Sequence, residues 1–62
     1  MPYVNVKVAG SLSKEQKQQI VAGITKVLQD VAGKSPESTY VVIEEINRDN
    51  WGKGGKLLSD KK

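Results

Sequence analysis

Met1-Pro2-Tyr3-Val4-Asn5-Val6-Lys7-Val8 is the stretch on which the reading of this chain turns. Val4, Val6 and Val8 alternate with Tyr3, Asn5 and Lys7, the period-two pattern of a β-strand, here starting at the N-terminus. Proline is tolerated at the head of a strand because its missing N–H removes no essential ladder bond there. The same residue raises a chemical question. Proline is small enough to permit removal of the initiator methionine, which would leave Pro2 with a free secondary amine. Inside a chain that nitrogen is a non-basic amide; at a terminus it is a base held in a ring and anchored by the strand behind it. A Met-Pro start also arises by chance, so the remainder of the chain decides its meaning.

Working outward, Ala9-Gly10-Ser11-Leu12 is a short connection, and Ser13-Lys14-Glu15-Gln16 has the form of a capping box. Ile20, Val21, Ile24, Val27, Leu28 and Val31 then recur at helical spacing, with Lys17, Gln18, Gln19, Thr25, Lys26 and Gln29 opposite. The pattern predicts a helix over 14–32, stopped at Gly33 and followed by a turn at Ser35-Pro36-Glu37-Ser38. Thr39 to Ile46 reads as a second strand. Val41 and Ile43 face one way; Tyr40, Val42 and Ile46 face the other. A strand apolar on both sides is normally covered on both sides, and one helix covers only one. Strand, helix and strand make a right-handed crossover with parallel strands. Asn47-Arg48-Asp49-Asn50 is turn chemistry. Trp51-Gly52-Lys53-Gly54-Gly55-Lys56-Leu57-Leu58 predicts a short glycine-rich hairpin, and Ser59 to Lys62 are expected to fray. The expected fold is α+β: one domain over 1–62, a single βαβ unit with a short C-terminal β-hairpin.

Sixty-two residues make a marginal domain, burying only about 60% of the surface exposed by the unfolded chain. With no Cys and no His, disulfides and ordinary zinc sites are excluded, so the expectation is no metal and no cofactor, with stability drawn from oligomerisation. Ser–His–Asp and Cys–His nucleophile arrangements are excluded too. Acid–base work near neutral pH then falls to a shifted carboxylate, a shifted lysine or the terminal amine. A proline amine is more basic than most α-amines, so a working base here needs its pKa lowered by burial or by cations such as Lys7 or Lys53.

The net charge is +3, yet the ten cations are scattered and include one arginine, unlike the clustered arginine-rich stripe of nucleic-acid binding. Attraction of a small anionic substrate explains the balance equally well. No apolar run reaches transmembrane length and no signal peptide is present, which predicts a cytoplasmic protein with no membrane and no nucleic-acid partner. Gly52-Lys53-Gly54-Gly55 lacks the Ser/Thr ending and the strand–helix setting of a phosphate loop, and reads as a tight turn. Trp51, the only tryptophan, suits either a subunit contact or the apolar wall of a pocket. Glu44 and Glu45 are consecutive in a strand and point to opposite faces, so they cannot act together on one substrate.

The Met-Pro start, the βαβ unit in so short a chain, the Glu15-Gln16-Lys17 helix opening and the late aromatic-Gly-x-Gly-Gly segment together resemble the 4-oxalocrotonate tautomerase family. The resemblance runs from Pro2 to about Leu58. It implies that the amino-terminal proline is a general base moving a proton between sites of an enol or keto acid. It also implies two chains sharing a four-stranded sheet with helices on one face, three such dimers forming a homohexamer. On the family's pattern Pro2 falls at the catalytic position, Trp51 at an aromatic pocket position, and Ser38 at a residue near the second strand. Leu12 and Tyr40 stand where dicarboxylate-converting members carry arginines, which grip carboxylates through charge-assisted hydrogen bonds. Lys53 stands where dehalogenating relatives place a glutamate, which argues against that branch. The implied function is an enol–keto tautomerase acting on a small 2-hydroxy or 2-keto acid. Leu12, Tyr40 and Trp51 would form a dry pocket, with Tyr40 a candidate donor to the enolate. A scaffold member, or one subunit of a heteromeric enzyme, is the alternative.

Overall fold

The computed structural model describes residues 1–60, with Lys61 and Lys62 outside the described residues. Strand β1 (Tyr3–Ala9) is followed by helix α1 (Lys14–Ala32), a 3₁₀ turn at Pro36–Ser38, and strand β2 (Tyr40–Ile46). A second 3₁₀ turn, Arg48–Asn50, leads into the hairpin β3 (Gly52–Lys53) and β4 (Lys56–Leu57), closed by a third turn at Leu58–Asp60. Strands β1 and β2 are parallel, with Tyr3 beside Tyr40, Asn5 beside Val42, Lys7 beside Glu44 and Ala9 beside Ile46.

The local chemistry accounts for each boundary. The Ser13 hydroxyl accepts from the Gln16 N–H at 3.1 Å while the Gln16 side chain accepts from the Ser13 N–H at 2.9 Å. This reciprocal capping box satisfies two donors that the helix start leaves orphaned. At the other end Gly33 adopts φ 65°, a left-handed conformation that side chains resist. There the Lys34 N–H reaches back to the Leu28 carbonyl at 3.2 Å. In the hairpin, Gly54 and Gly55 both have positive φ, 63° and 83°, as a two-residue turn matched to strand twist requires. The glycine-rich segment is therefore a hairpin turn. The expected fraying at the C-terminus is not seen for Ser59 and Asp60, which lie in the third 3₁₀ turn; its remaining part, Lys61 and Lys62, lies outside the described residues.

Helix α1 packs on the sheet, and Val4, Val6, Val8, Val41 and Ile43 of the strands and Ile20, Ile24 and Leu28 of the helix are half-buried. The apolar stripe of the helix is wider and longer than its support. Val21, Val27 and Val31 remain 36%, 59% and 82% exposed. A helix of nineteen residues is about 28 Å long, whereas two strands about 4.8 Å apart offer a narrow platform. The opposite face of the sheet has no cover from its own chain, leaving Tyr3, Tyr40 and Val42 at 63%, 55% and 40% exposure.

No hydrophobic side chain among the described residues is fully buried. The accessible surface is 4881 Å², against about 3,950 Å² for a typical folded monomer of this mass. The radius of gyration is 14.7 Å, where a compact chain of this length would have about 11 Å. The protomer has the shape of a part designed to be covered. Replacing Ser13 by Ala should lower stability by about 1 kcal/mol per protomer through loss of the cap, read from urea unfolding at one fixed protein concentration. An unchanged midpoint would mean that the capping box contributes nothing.

Candidate active site

The strand register sets where each candidate residue stands. Pro2 precedes β1, and its carbonyl accepts from the Tyr40 N–H at 3.0 Å. That bond holds residue 2 against the start of β2 while Met1 projects into solvent at 84% exposure. Ser38 ends the turn just before β2; its hydroxyl donates to the Ser35 carbonyl at 3.2 Å, as does the Thr39 hydroxyl at 2.8 Å. Pro2, Ser38 and Tyr40 thus gather at the amino ends of the two parallel strands.

Leu12 and Trp51 belong to the other end. The Gly10 N–H donates to the Ile46 carbonyl at 2.8 Å, closing the connection after β1 onto the end of β2. Leu12 follows two residues later, its N–H donating to Glu45 at 2.7 Å. Trp51 leaves the 3₁₀ turn with its N–H directed to the Arg48 carbonyl at 3.4 Å, and its own carbonyl accepts from the Leu58 N–H at 2.9 Å. Seven-residue strands separate the two groups by about 20 Å. Within one chain, then, the five expected residues fall into two groups at opposite ends of the sheet.

The carboxylates divide as alternation demands. Glu44 lies on the uncovered face, 2.7 Å from Lys7 Nζ. Lys7 also donates to Asn5 Oδ1 at 2.9 Å. The Lys7 hydrogen bond, with help from Asn5 and the lysine charge, holds the Glu44 carboxyl below its ordinary value, and Glu44 in turn raises Lys7. Lys7 therefore stands paired about 17 Å along the strand from Pro2. Lys53 lies in the separate β3–β4 sheet. Neither of the cations expected near Pro2 is placed beside it within the chain.

Glu45 is on the helix side, and its role was not read from the sequence. Its Oε2 accepts from the Leu12 N–H at 2.7 Å and its Oε1 from Lys17 Nζ at 3.0 Å. The Leu12 amide is the larger cause, and Lys17 the next, of a carboxyl held below its usual range. The available signal was the parallel register, which sets Glu45 beside Val8 and hence on the covered face. Beside it a hollow of about 450 Å³ opens, lined by Gly10, Ser11, Glu45, Asn47 and Arg48. Asn47 Oδ1 accepts from the Asp49 N–H at 2.8 Å, which shapes the turn presenting Arg48. A smaller hollow of about 370 Å³ lies along α1 between Lys14, Lys17, Gln18, Val21 and Ala22. The described residues hold no cluster of His, Cys, Asp and Glu fit for a metal ion. None of their helices is long and apolar enough to cross a membrane.

A small βαβ unit with an appended hairpin and a proline at residue 2 fits the class that the sequence resemblance implies. Comparison with known proteins makes the assignment specific. The family described as "Tautomerase enzyme" matches residues 2–61. "Probable tautomerase K2" of Dickeya dadantii is 41% identical over 63 residues, covering 100% of this chain and 94% of that protein. The "2-hydroxymuconate tautomerase" of Bacillus subtilis is 40% identical, covering 97% of each. The crystal structure of YwhB, a homologue of 4-oxalocrotonate tautomerase, superposes with a TM-score of 0.92 at 38% identity, covering 98% of this chain and 100% of that one. The chain belongs to the tautomerase family, and its class of chemistry is isomerisation.

Because the Glu45 pKa is lowered in the folded state, the contribution of this carboxylate is present above its ordinary value of 4.5 and lost as pH falls through the lower folded value. Glu45→Gln should flatten the decline of the unfolding midpoint below about pH 4.5, measured by melting at constant ionic strength. An unchanged acid limb would show that the carboxylate is not engaged with Leu12 and Lys17.

Proposed function

We propose that this protein is an enol–keto tautomerase in which Pro2, freed by loss of Met1, is the general base. One observation carries the reading: residue 2 is pinned to the sheet by its carbonyl at 3.0 Å from the Tyr40 N–H, with exposed Met1 ahead of it. The secondary amine so produced would have a fixed position and direction, which general-base catalysis requires. The family match beginning at residue 2 supports the same residue.

The substrate class is a small 2-hydroxy or 2-keto acid or related enol, a reading supported by the relative named 2-hydroxymuconate tautomerase. The neutral Pro2 nitrogen accepts the enol hydroxyl proton. The O–H electron pair becomes the new carbonyl bond, and the enol π pair takes the proton back from Pro2 at carbon. Protons and electrons balance with no cofactor. Tyr40 donates a hydrogen bond to the developing oxyanion, and Trp51, Leu12 and Ser38 complete the walls.

Assembly follows from the two separated groups. A β1 or β2 edge paired antiparallel with its copy about a two-fold axis places the carboxyl ends of one chain's strands beside the amino ends of the other's. Such a pair shares a four-stranded sheet with helices on one face. Three pairs that close their bare sheet faces together make a hexamer, a cytoplasmic homo-oligomer. The lone protomer's excess surface and overhanging helix stripe support this reading.

Pro2→Ala should reduce kcat on an arylenolpyruvate by about a hundred- to ten-thousandfold while leaving oligomer mass unaltered. The intact mass of active enzyme should be that of the chain without Met1. Full turnover in Pro2→Ala, or in a preparation retaining Met1, contradicts the assignment.

A further inference from the structure

We propose that Arg48 is the residue that binds the substrate carboxylate, and that the hollow it lines with Gly10, Ser11 and Asn47 receives the acid end of the substrate. This rests on the tautomerase reading above. A 2-hydroxy or 2-keto acid carries a carboxylate next to its reacting carbon, and neither Leu12 nor Tyr40 has a charge to meet it.

Four observations converge on Arg48. It is the only arginine in the chain, with a planar fork of donors matched to a carboxylate in a way that a lysine ammonium is not. Lys7, Lys17 and Lys26 are each held by a carboxylate within the chain. Arg48 makes no such pair among the described residues. Secondly, Arg48 lines the hollow of about 450 Å³, a volume within the usual range of small-molecule sites, about 300–1,000 Å³.

Thirdly, the one anion in that wall is already satisfied. Both Glu45 oxygens are engaged, at 2.7 Å by the Leu12 amide and at 3.0 Å by Lys17, so Glu45 neither requires Arg48 nor leaves an uncompensated charge against an incoming acid. Fourthly, Arg48 opens a 3₁₀ turn and Trp51 follows it, the Trp51 N–H directed to the Arg48 carbonyl at 3.4 Å. That contact keeps the cation and the aromatic residue at the same end of the sheet. With the site built between chains, Arg48 and Trp51 of one protomer face Pro2 of another.

The test uses the assembled wild-type protein and its Arg48→Ala and Arg48→Lys variants. Trp51, the only tryptophan, reports binding by fluorescence. The probes are 3-phenylpropanoate, which carries the carboxylate but cannot tautomerise, and its methyl ester. Wild type should bind the acid more tightly than the ester. Arg48→Ala should weaken the acid by roughly ten- to a hundredfold and leave the ester within twofold, with Arg48→Lys in between. With phenylenolpyruvate as substrate the same change should appear in KM, kcat moving much less. Arg48 is exposed, so helical signal and oligomer mass should be unaltered. Equal weakening of acid and ester, an acid affinity unchanged in Arg48→Ala, or no acid preference in wild type overturns the proposal. Absence of wild-type turnover with Arg48-dependent acid binding intact would overturn the tautomerase reading instead.

Discussion

Two parallel strands backed by one helix cannot enclose a core, and the rest of this protein follows from that. The helix shields one face of the sheet, so the valines of β1 and the Val41–Ile43 side of β2 are only half-buried. The other face presents two tyrosines and a valine to solvent. At about 25 cal/mol per Å² of apolar surface removed from water, covering that face and the overhanging helix stripe is the largest stabilisation still open to the chain. A chain of this size without disulfide or metal has few other routes to stability. Even the Lys7–Glu44 pair makes sense on this face: two opposite charges set side by side enter a subunit contact at lower cost than either alone.

The same geometry governs the chemistry. A βαβ unit sends both strands in one direction, so the residues preceding them and the residues following them are kept a strand length apart. Pro2, Ser38 and Tyr40 stand at one end; Leu12, Arg48 and Trp51 stand at the other. The two-fold pairing of strand edges proposed above would cancel that separation by running a neighbour the opposite way. In the assembly proposed above, coverage of the sheet and completion of the site are two results of one association. Glu45 ties the connection after β1 to both the helix and the second strand, which holds the carboxyl ends of the strands in shape.

The backbone plan was legible in the residues because local signals agreed. Ser13 with Gln16, and Gly33 with the valine and isoleucine spacing between, place the helix at Lys14–Ala32, as the structure has it. The two-sided greasiness of Val41, Val42 and Ile43 announces a sheet with a second face to cover. The cast of the site was less legible. Alternation separates Glu45 from Glu44, but its partners Leu12 and Lys17 come from other elements and show only in the fold. Arg48 looks like one more turn residue in Asn47-Arg48-Asp49-Asn50, because nothing local says that Gly10 and Ser11 line a hollow with it. Within the chain Lys7 pairs with Glu44 rather than with any group near Pro2, a pairing that depends on the register of the two strands. Local propensity fixes elements; long-range pairing decides which side chains meet.

The direct test of this account is equilibrium urea unfolding, followed by far-ultraviolet circular dichroism and sedimentation together, at protomer concentrations a hundredfold apart. If the fold depends on coverage by other copies, helical signal and oligomer mass are lost in one transition whose midpoint rises with concentration. A 6.8 kDa monomer that keeps its helix, with a midpoint independent of concentration, would contradict it.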